Sequence, residues 1–219
     1  MVEAYEKGIA FILEGDTEKV FYLSLLNYLC GKYGAKLEKY TNCSDPDIVY
    51  NIKKCEKTVL IKFKVVNTVS QMPSSSKWFH TQCYNKYTEL DGWTIFLCYD
   101  TDNYKDDVSK FYEGDWIVLR NELAKIAKNV VDIAAAADIE DVLLEDIRGI
   151  STYLGSDTDL PIPNGKKGKS KMKLLFRSMG NSYHSGERAK ALIDKLDMQL
   201  LIDKDLVPLK EIEKVIFEL

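Results

Sequence analysis

The chain contains no apolar run approaching the ~20 residues of a membrane span. Its opening, "MVEAYEKG", also lacks the charged-then-apolar pattern and cleavage site of a secretory signal. These absences predict a cytoplasmic protein with no membrane partner. Only two histidines occur, and the five cysteines form no CxxC pair. His80 and Cys83 in "HTQC" have no second pair at a matching spacing, so a structural zinc site would be short of ligands. Cys30 and Cys98 fall inside apolar runs, where a reduced thiol behaves as a small hydrophobe. No internal repeat or low-complexity tract is present. A net charge of −4 excludes an indiscriminately basic coat protein for nucleic acid.

At 219 residues, with 46% hydrophobic and 29% charged residues, the chain suits one globular domain with at most a small appendage. Its charge is unevenly distributed. Between Pro161 and Gly180 stand six basic residues and no acid, while acids gather at 100–107 and 138–146. Acids facing a basic segment would suit a metal-dependent enzyme acting on a polyanion.

"GIAFILE" (8–14) and "WTIFLCYD" (93–100) are short, continuous apolar runs, the pattern of strands buried on both faces. "AKLEKYT" (35–41), "TVLIKFKVV" (58–66) and "VVDIAAAA" (130–137) add three more expected strands. Helices are expected at 16–33, capped by Asp16 or Thr17, and at 77–90 and 114–129. A short one at 138–147 would be capped by Asp138. "VSQMPSSS" and the stretch 155–171 predict loops. Further helices are expected at about 170–179, at 185–196 with Ala189, Leu192, Ile193 and Leu196 inward, and at 208–218 behind Pro208. Strands alternating with helices predict an α/β fold around a mainly parallel sheet. Residues 1–150 would form the metal-binding α/β domain, with a basic loop and helical extension, 151–219, packed on it.

In such a sheet, ligands bind beyond the carboxyl ends of the strands. Glu14 ends one buried run; Asp100 ends another, with Asp102 just after it. If the strands are neighbours, three carboxylates converge, and crowded anions call for a divalent cation. Hard oxygen ligands point to Mg2+ or Mn2+. Gly15 is expected to permit a sharp turn and leave room for a substrate backbone.

"ILEGDTEKVF" followed by "IFLCYDTDN" resembles the TOPRIM fold, the metal-binding phosphoryl-transfer domain of topoisomerases, DnaG-type primases and OLD-family nucleases. The resemblance covers residues 8–147. It matches Glu14 to the family's first motif and Asp100 and Asp102 to its DxD. The "EGxTE" form, with Glu18 on the first helical turn, is similar to the OLD-like and RloB-like branch. "ADIEDVLL" resembles that branch's third acidic motif, which would make Glu140 a metal-proximal acid. The resemblance implies a Rossmannoid fold and a metal-dependent nuclease, DNA favoured, acting against phage or mobile DNA, either alone or with a separate ATPase or other defence-system subunit. A TOPRIM ribonuclease for structured RNA and a noncatalytic binding module are the alternatives.

"PNGKKGKS" (163–170) nearly matches a phosphate loop but has Pro163 for the first glycine and no buried strand before it. The other readings are a solvated lysine-rich loop with no role and a basic surface in which Lys166, Lys167, Lys169, Arg177 and Arg188 touch nucleic-acid phosphates. Lys171 or Lys173 would then bring positive charge to the scissile group. Lys190, close behind Arg188, is a further cation in reserve.

Overall fold

"KGIAFIL" has no polar side chain to turn toward water beyond its first residue, and it goes to the middle of a sheet. This is β1, Lys7–Leu13, buried from Gly8 onward. A computed structural model of the chain describes residues 5–40, 49–102, 111 and 113–217. β1 runs parallel to both neighbours. β4 (Lys57–Val65) pairs on one side with Ile9 opposite Ile61, and β5 (Trp93–Asp100) on the other with Ile9 opposite Thr94. β6 (Asn129–Ala135) continues the parallel set beyond β5. β2 (Lys36–Tyr40) and β3 (Val49–Lys54) extend the other edge antiparallel. The order is β2-β3-β4-β1-β5-β6. The mainly parallel α/β sheet expected from the sequence is what forms.

Alternate residues of the central strands feed two separate cores, as a period of two requires. Ile9, Phe11, Leu13, Phe96 and Cys98 face one layer of helices. That layer is α1 (Asp16–Lys32), α4 (Ile139–Leu143), α5 (Ile147–Tyr153), α6 (Gly168–Ser178), α7 (Lys190–Ile193), α8 (Met198–Lys204) and α9 (Leu209–Phe217). Ala10, Ile12, Ile95, Leu97 and Tyr99 face the other layer, α2 (Ser75–Phe79) and α3 (Asp115–Ala124). The helices after residue 151 therefore share one core with α1.

Some elements differ from the sequence expectation. The segment 77–90 does not form one helix: α2 ends at Phe79 and a π turn follows over His80–Tyr84. Residues 69–74, expected as a loop, form a 3-10 turn leading into α2. The segment 185–196 is a 3-10 turn, Gly186–Ala189, followed by α7, and it does bury Ala189, Leu192, Ile193 and Leu196. β3, α5 and α8 were not expected at all. Thr41, Cys43, Asp106, Asp107 and Glu218, which belong to segments singled out above, lie outside the described residues.

With β4 on one side of β1 and β5 on the other, the strand order reverses at β1, and a crevice opens at the carboxyl ends there. The exits of β5 and β6 are tied together. Asp102 N–H donates to Ala137 O at 2.9 Å, and Ala137 N–H donates to Thr101 Oγ1 at 2.9 Å. Both Asp102 (φ 63°) and Ala137 (φ 67°) are held left-handed, a conformation that costs non-glycine residues about 1–2 kcal/mol. Backbone strain therefore sits at the sheet edge where the acids emerge.

Candidate metal centre

Glu14 follows β1 directly, and Asp100 is the last residue of β5. The Asp100 N–H donates to Glu14 Oε2 at 3.2 Å, so the two strand ends meet through the acid itself. Glu18, in the first turn of α1, lies close to both. Oxygens of Glu14, Glu18 and Asp100 all lie within 4.8 Å of one another. Two full charges that close repel by about 3 kcal/mol even at an effective dielectric constant of ~20.

The protonation equilibria register this crowding. Burial, then Glu18 and Glu14, pushes the Asp100 carboxyl up to about 10. Burial, with Glu14 and Glu140 adding to it, pushes Glu18 up to about 7. Glu14 is also raised by burial, against the Asp100 N–H that favours its charged form. Asp100 Oδ1 is buried with no hydrogen-bond partner among the described residues. A buried acceptor left unpaired costs about 1–3 kcal/mol, which a cation would recover. A donor set made only of carboxylate oxygens fits Mg2+ or Mn2+, the ions expected from the sequence.

Gly15 has a different role from the one expected. Its backbone is extended (φ −147°, ψ 177°), so no glycine-specific turn occurs. What the missing side chain leaves room for is the Glu18 carboxylate: a Cβ at position 15 would stand 2.9 Å from its Oε2. Neither Asp16 nor Thr17 caps α1 with its side chain. Thr17 Oγ1 instead accepts the Gly186 N–H at 2.8 Å.

Asp102 and Glu140 line the same cavity, of about 660 Å³, but outside the tight three-acid group. Asp102 is ion-paired with Lys167 across the cavity mouth. Glu140 is buried and accepts the Tyr183 hydroxyl at 3.0 Å. Burial raises its pKa, opposed by the Lys169 ammonium and by Tyr183. Asp138 also lines the cavity and caps α4 as expected, taking the Asp141 N–H at 3.1 Å. Burial lifts its pKa to about 6. Asn67 (φ 72°), at the β4 exit, completes the wall from a segment that carries no site signal in the sequence.

The lysines separate into two groups. Lys166, Lys167, Lys169 and Lys173 line the cavity. Lys171, expected to bring charge to the scissile group, is held instead by Asp141 Oδ1 at 2.9 Å. Lys169, Lys173 and Arg177 stand four residues apart on α6, so they form one exposed stripe leading away from the acids. Arg188 is exposed on the 3-10 turn, and Lys190 pairs with Asp194. The phosphate-loop alternative fails on geometry. The N–H groups of Gly168 and Lys169, which would cradle a phosphate, are taken by Asp141 Oδ2 at 2.8 Å and Asp138 Oδ2 at 3.0 Å. Cys83 is buried in the second core and His80 is exposed, so they form no ligand pair.

Fold and site together define an α/β protein with a carboxylate-lined crevice at the switch point of its sheet. No protein-family model matches the chain, and no curated protein matches it in sequence. Similar solved structures include a futalosine hydrolase mutant of Helicobacter pylori strain 26695. It is 7% identical, with 96% of this chain and 100% of that one covered and a TM-score of 0.31. A 5'-methylthioadenosine/S-adenosyl homocysteine nucleosidase of Campylobacter jejuni is 14% identical, with 97% and 99% covered and a TM-score of 0.30. A peptidyl-tRNA hydrolase in complex with N-propanol is 12% identical, with 99% and 97% covered and a TM-score of 0.31. Scores this low carry no argument about the crevice. Among the described residues, no helix is long and apolar enough to cross a membrane.

Proposed function

We propose that the protein is a divalent-metal-dependent nuclease that cleaves phosphodiester bonds, with DNA the favoured substrate. The observation that carries this reading is the convergence of Glu14, Glu18 and Asp100 at the sheet's switch point, where Asp100 Oδ1 is buried with no hydrogen-bond partner among the described residues. These three would hold the ion, and Asp102 and Glu140 stand ready to extend the donor set from the same cavity. A divalent ion held there supplies a lowered water pKa and Lewis-acid stabilisation of phosphate charge. Lys169 and Lys173, on the cavity wall, place fixed positive charge beside a bound phosphate. Successive cations of the α6 stripe are ~6 Å apart along the helix axis, a spacing suited to following a phosphate backbone.

The TOPRIM-like order of the motifs supports the same reaction, and its OLD-like form supports a role in defence against phage or mobile DNA beside a separate ATPase. The test is incubation of purified protein with duplex DNA, single-stranded DNA and structured RNA, with and without Mn2+, beside Glu14→Gln. The expected result is Mn2+-dependent DNA cleavage that Glu14→Gln loses. Preferential cleavage of structured RNA would move the substrate to the ribonuclease alternative. Metal-independent binding with no cleavage would leave a noncatalytic module.

A further inference from the structure

Glu140, on α4, lines the cavity beside Asp138, and one of its oxygens is already taken. Tyr183 lies between α6 and the 3-10 turn, in "NSYHSG", and its hydroxyl donates to Glu140 Oε1 at 3.0 Å. The tyrosine is 8% exposed, and its ring meets Phe176 of α6 edge-on at 5.3 Å. Three residues further on, the Gly186 N–H reaches Thr17 in the first turn of α1, the turn that also carries Glu18. The segment from Tyr183 to Gly186 therefore joins Glu140 of α4 to Thr17 in the first turn of α1, and Ser185 and Gly186 line the cavity.

A glutamate on a helix has several rotamers, and most would take its carboxylate away from a neighbouring acid cluster. Holding Oε1 removes that freedom and leaves Oε2 for whatever occupies the cavity. We propose that Tyr183 is a positioning residue whose hydroxyl fixes Glu140, so that its other oxygen joins Glu14, Glu18 and Asp100 as a donor to a divalent cation. This makes the C-terminal segment part of the metal centre. The inference rests on the metal-dependent reading above.

Mn2+ titrated into the full chain, followed by electron paramagnetic resonance, tests it on wild type, Tyr183→Phe, Glu140→Gln and the double variant. Thermal unfolding with EDTA runs alongside. Groups that orient metal ligands cost on the order of 10- to 100-fold in affinity when lost. Tyr183→Phe is expected to unfold as cooperatively as wild type and to bind Mn2+ about tenfold more weakly. The double variant is expected to bind no more weakly than Glu140→Gln, because the hydroxyl acts only through that carboxylate. Glu140→Asp withdraws the carboxylate from the hydroxyl without touching the tyrosine and is expected to weaken Mn2+ to a similar extent, whatever Tyr183→Phe does to folding. If Tyr183→Phe binds Mn2+ like wild type while Glu140→Gln does not, the positioning role is overturned and the metal centre stands. Losses that add in the double variant overturn it too, assigning the tyrosine to the fold alone. A wild-type chain that binds no Mn2+ removes both readings together.

Discussion

Asp138 and Asp141, after β6, have every carboxylate oxygen engaged. Asp138 accepts the N–H groups of Asp141 and Lys169; Asp141 accepts the Gly168 N–H and the Lys171 ammonium. Glu14, Glu18 and Asp100, across the same crevice, crowd one another, and one Asp100 oxygen has no partner among the described residues. Both sets are acids just past a strand end, and in the sequence they look alike. The difference lies in what meets them. The first set faces the start of a helix, whose free N–H groups and positive dipole end favour negative charge. The second meets mainly other acids. One set anchors α6; the other leaves its charges crowded, at a cost in stability that the proposed cation would offset.

The contrast is broken most severely at Asp100. Asp100→Asn is expected to reduce Mn2+-dependent cleavage to background while leaving the fold intact. Without metal it should raise the melting temperature, because it removes one of three crowded, desolvated carboxyls. For a chain of this size, each kcal/mol gained raises the midpoint by about 2–4 °C. A variant that unfolds would put Asp100 with the anchoring acids, and one that keeps full activity would remove it from the metal centre.

The same acids set the direction of pH dependence. Glu18, at about 7, and Asp100, at about 10, sit above their ordinary values, so the native chain binds more protons than the unfolded one between those ordinary values and the raised ones. Metal-free stability is therefore fully supported at the acidic end of that window. It falls as pH rises toward 7 and then 10, by up to about 1.4 kcal/mol per pH unit for each group held protonated. Melting measured with EDTA at several pH values above about 5 should show this decline. Mn2+ should flatten it by displacing the protons, and so should Asp100→Asn. A metal-free midpoint that rises steadily with pH would mean that the cluster is not crowded in solution.

The sequence shows the crowded set and the Asp138 cap well and the partners of Asp138 and Asp141 on α6 badly, for a physical reason. Two short, continuous apolar runs suit buried strands, which puts Glu14 and Asp100 at strand ends from the sequence alone. Their meeting needed only that β1 and β5 be neighbours. The lysines could not be sorted that way. Lys169 and Lys171 are about 200° apart around a helix, and which of them faces the acids depends on where α6 begins. That start is set by carboxylates about 30 residues earlier in the chain, a pairing that leaves no local pattern. β3 escaped notice because it meets β4 through Cys55-Glu56, with Cys55 at φ 54°, where a hairpin signal would have been Asn-Gly. Tyr183 left no trace in the sequence because its partner is 43 residues away.

The anchoring set gives the opposite sign at a smaller scale. Asp141→Ala leaves the Gly168 N–H and the Lys171 ammonium without this acceptor. The expected loss is about 1–3 kcal/mol of stability, read as a lower melting midpoint. Mn2+ binding by the three-acid cluster should persist, because Asp141 is not part of it. Gly168 reinforces the point: a Cβ there would meet Asp141 N at 2.1 Å, so the approach of α4 to α6 excludes any side chain. An Asp141→Ala chain as stable as wild type would show that α6 does not depend on these carboxylates.

The smallest expected effect tests how the crowded set is held in place. Gly15→Ala keeps a backbone conformation that alanine adopts freely, so stability should change by less than about 1 kcal/mol. The added methyl, however, stands 2.9 Å from Glu18 Oε2 and must push that carboxylate away from Glu14 and Asp100. Mn2+ affinity should fall by roughly tenfold, as it does when a ligand loses its orientation. The metal-free protein should respond in the opposite direction, because a displaced Glu18 no longer raises Asp100. The decline of stability with pH should then become shallower. Unchanged Mn2+ affinity in Gly15→Ala would place Glu18 outside the donor set and leave Glu14 and Asp100 as its core.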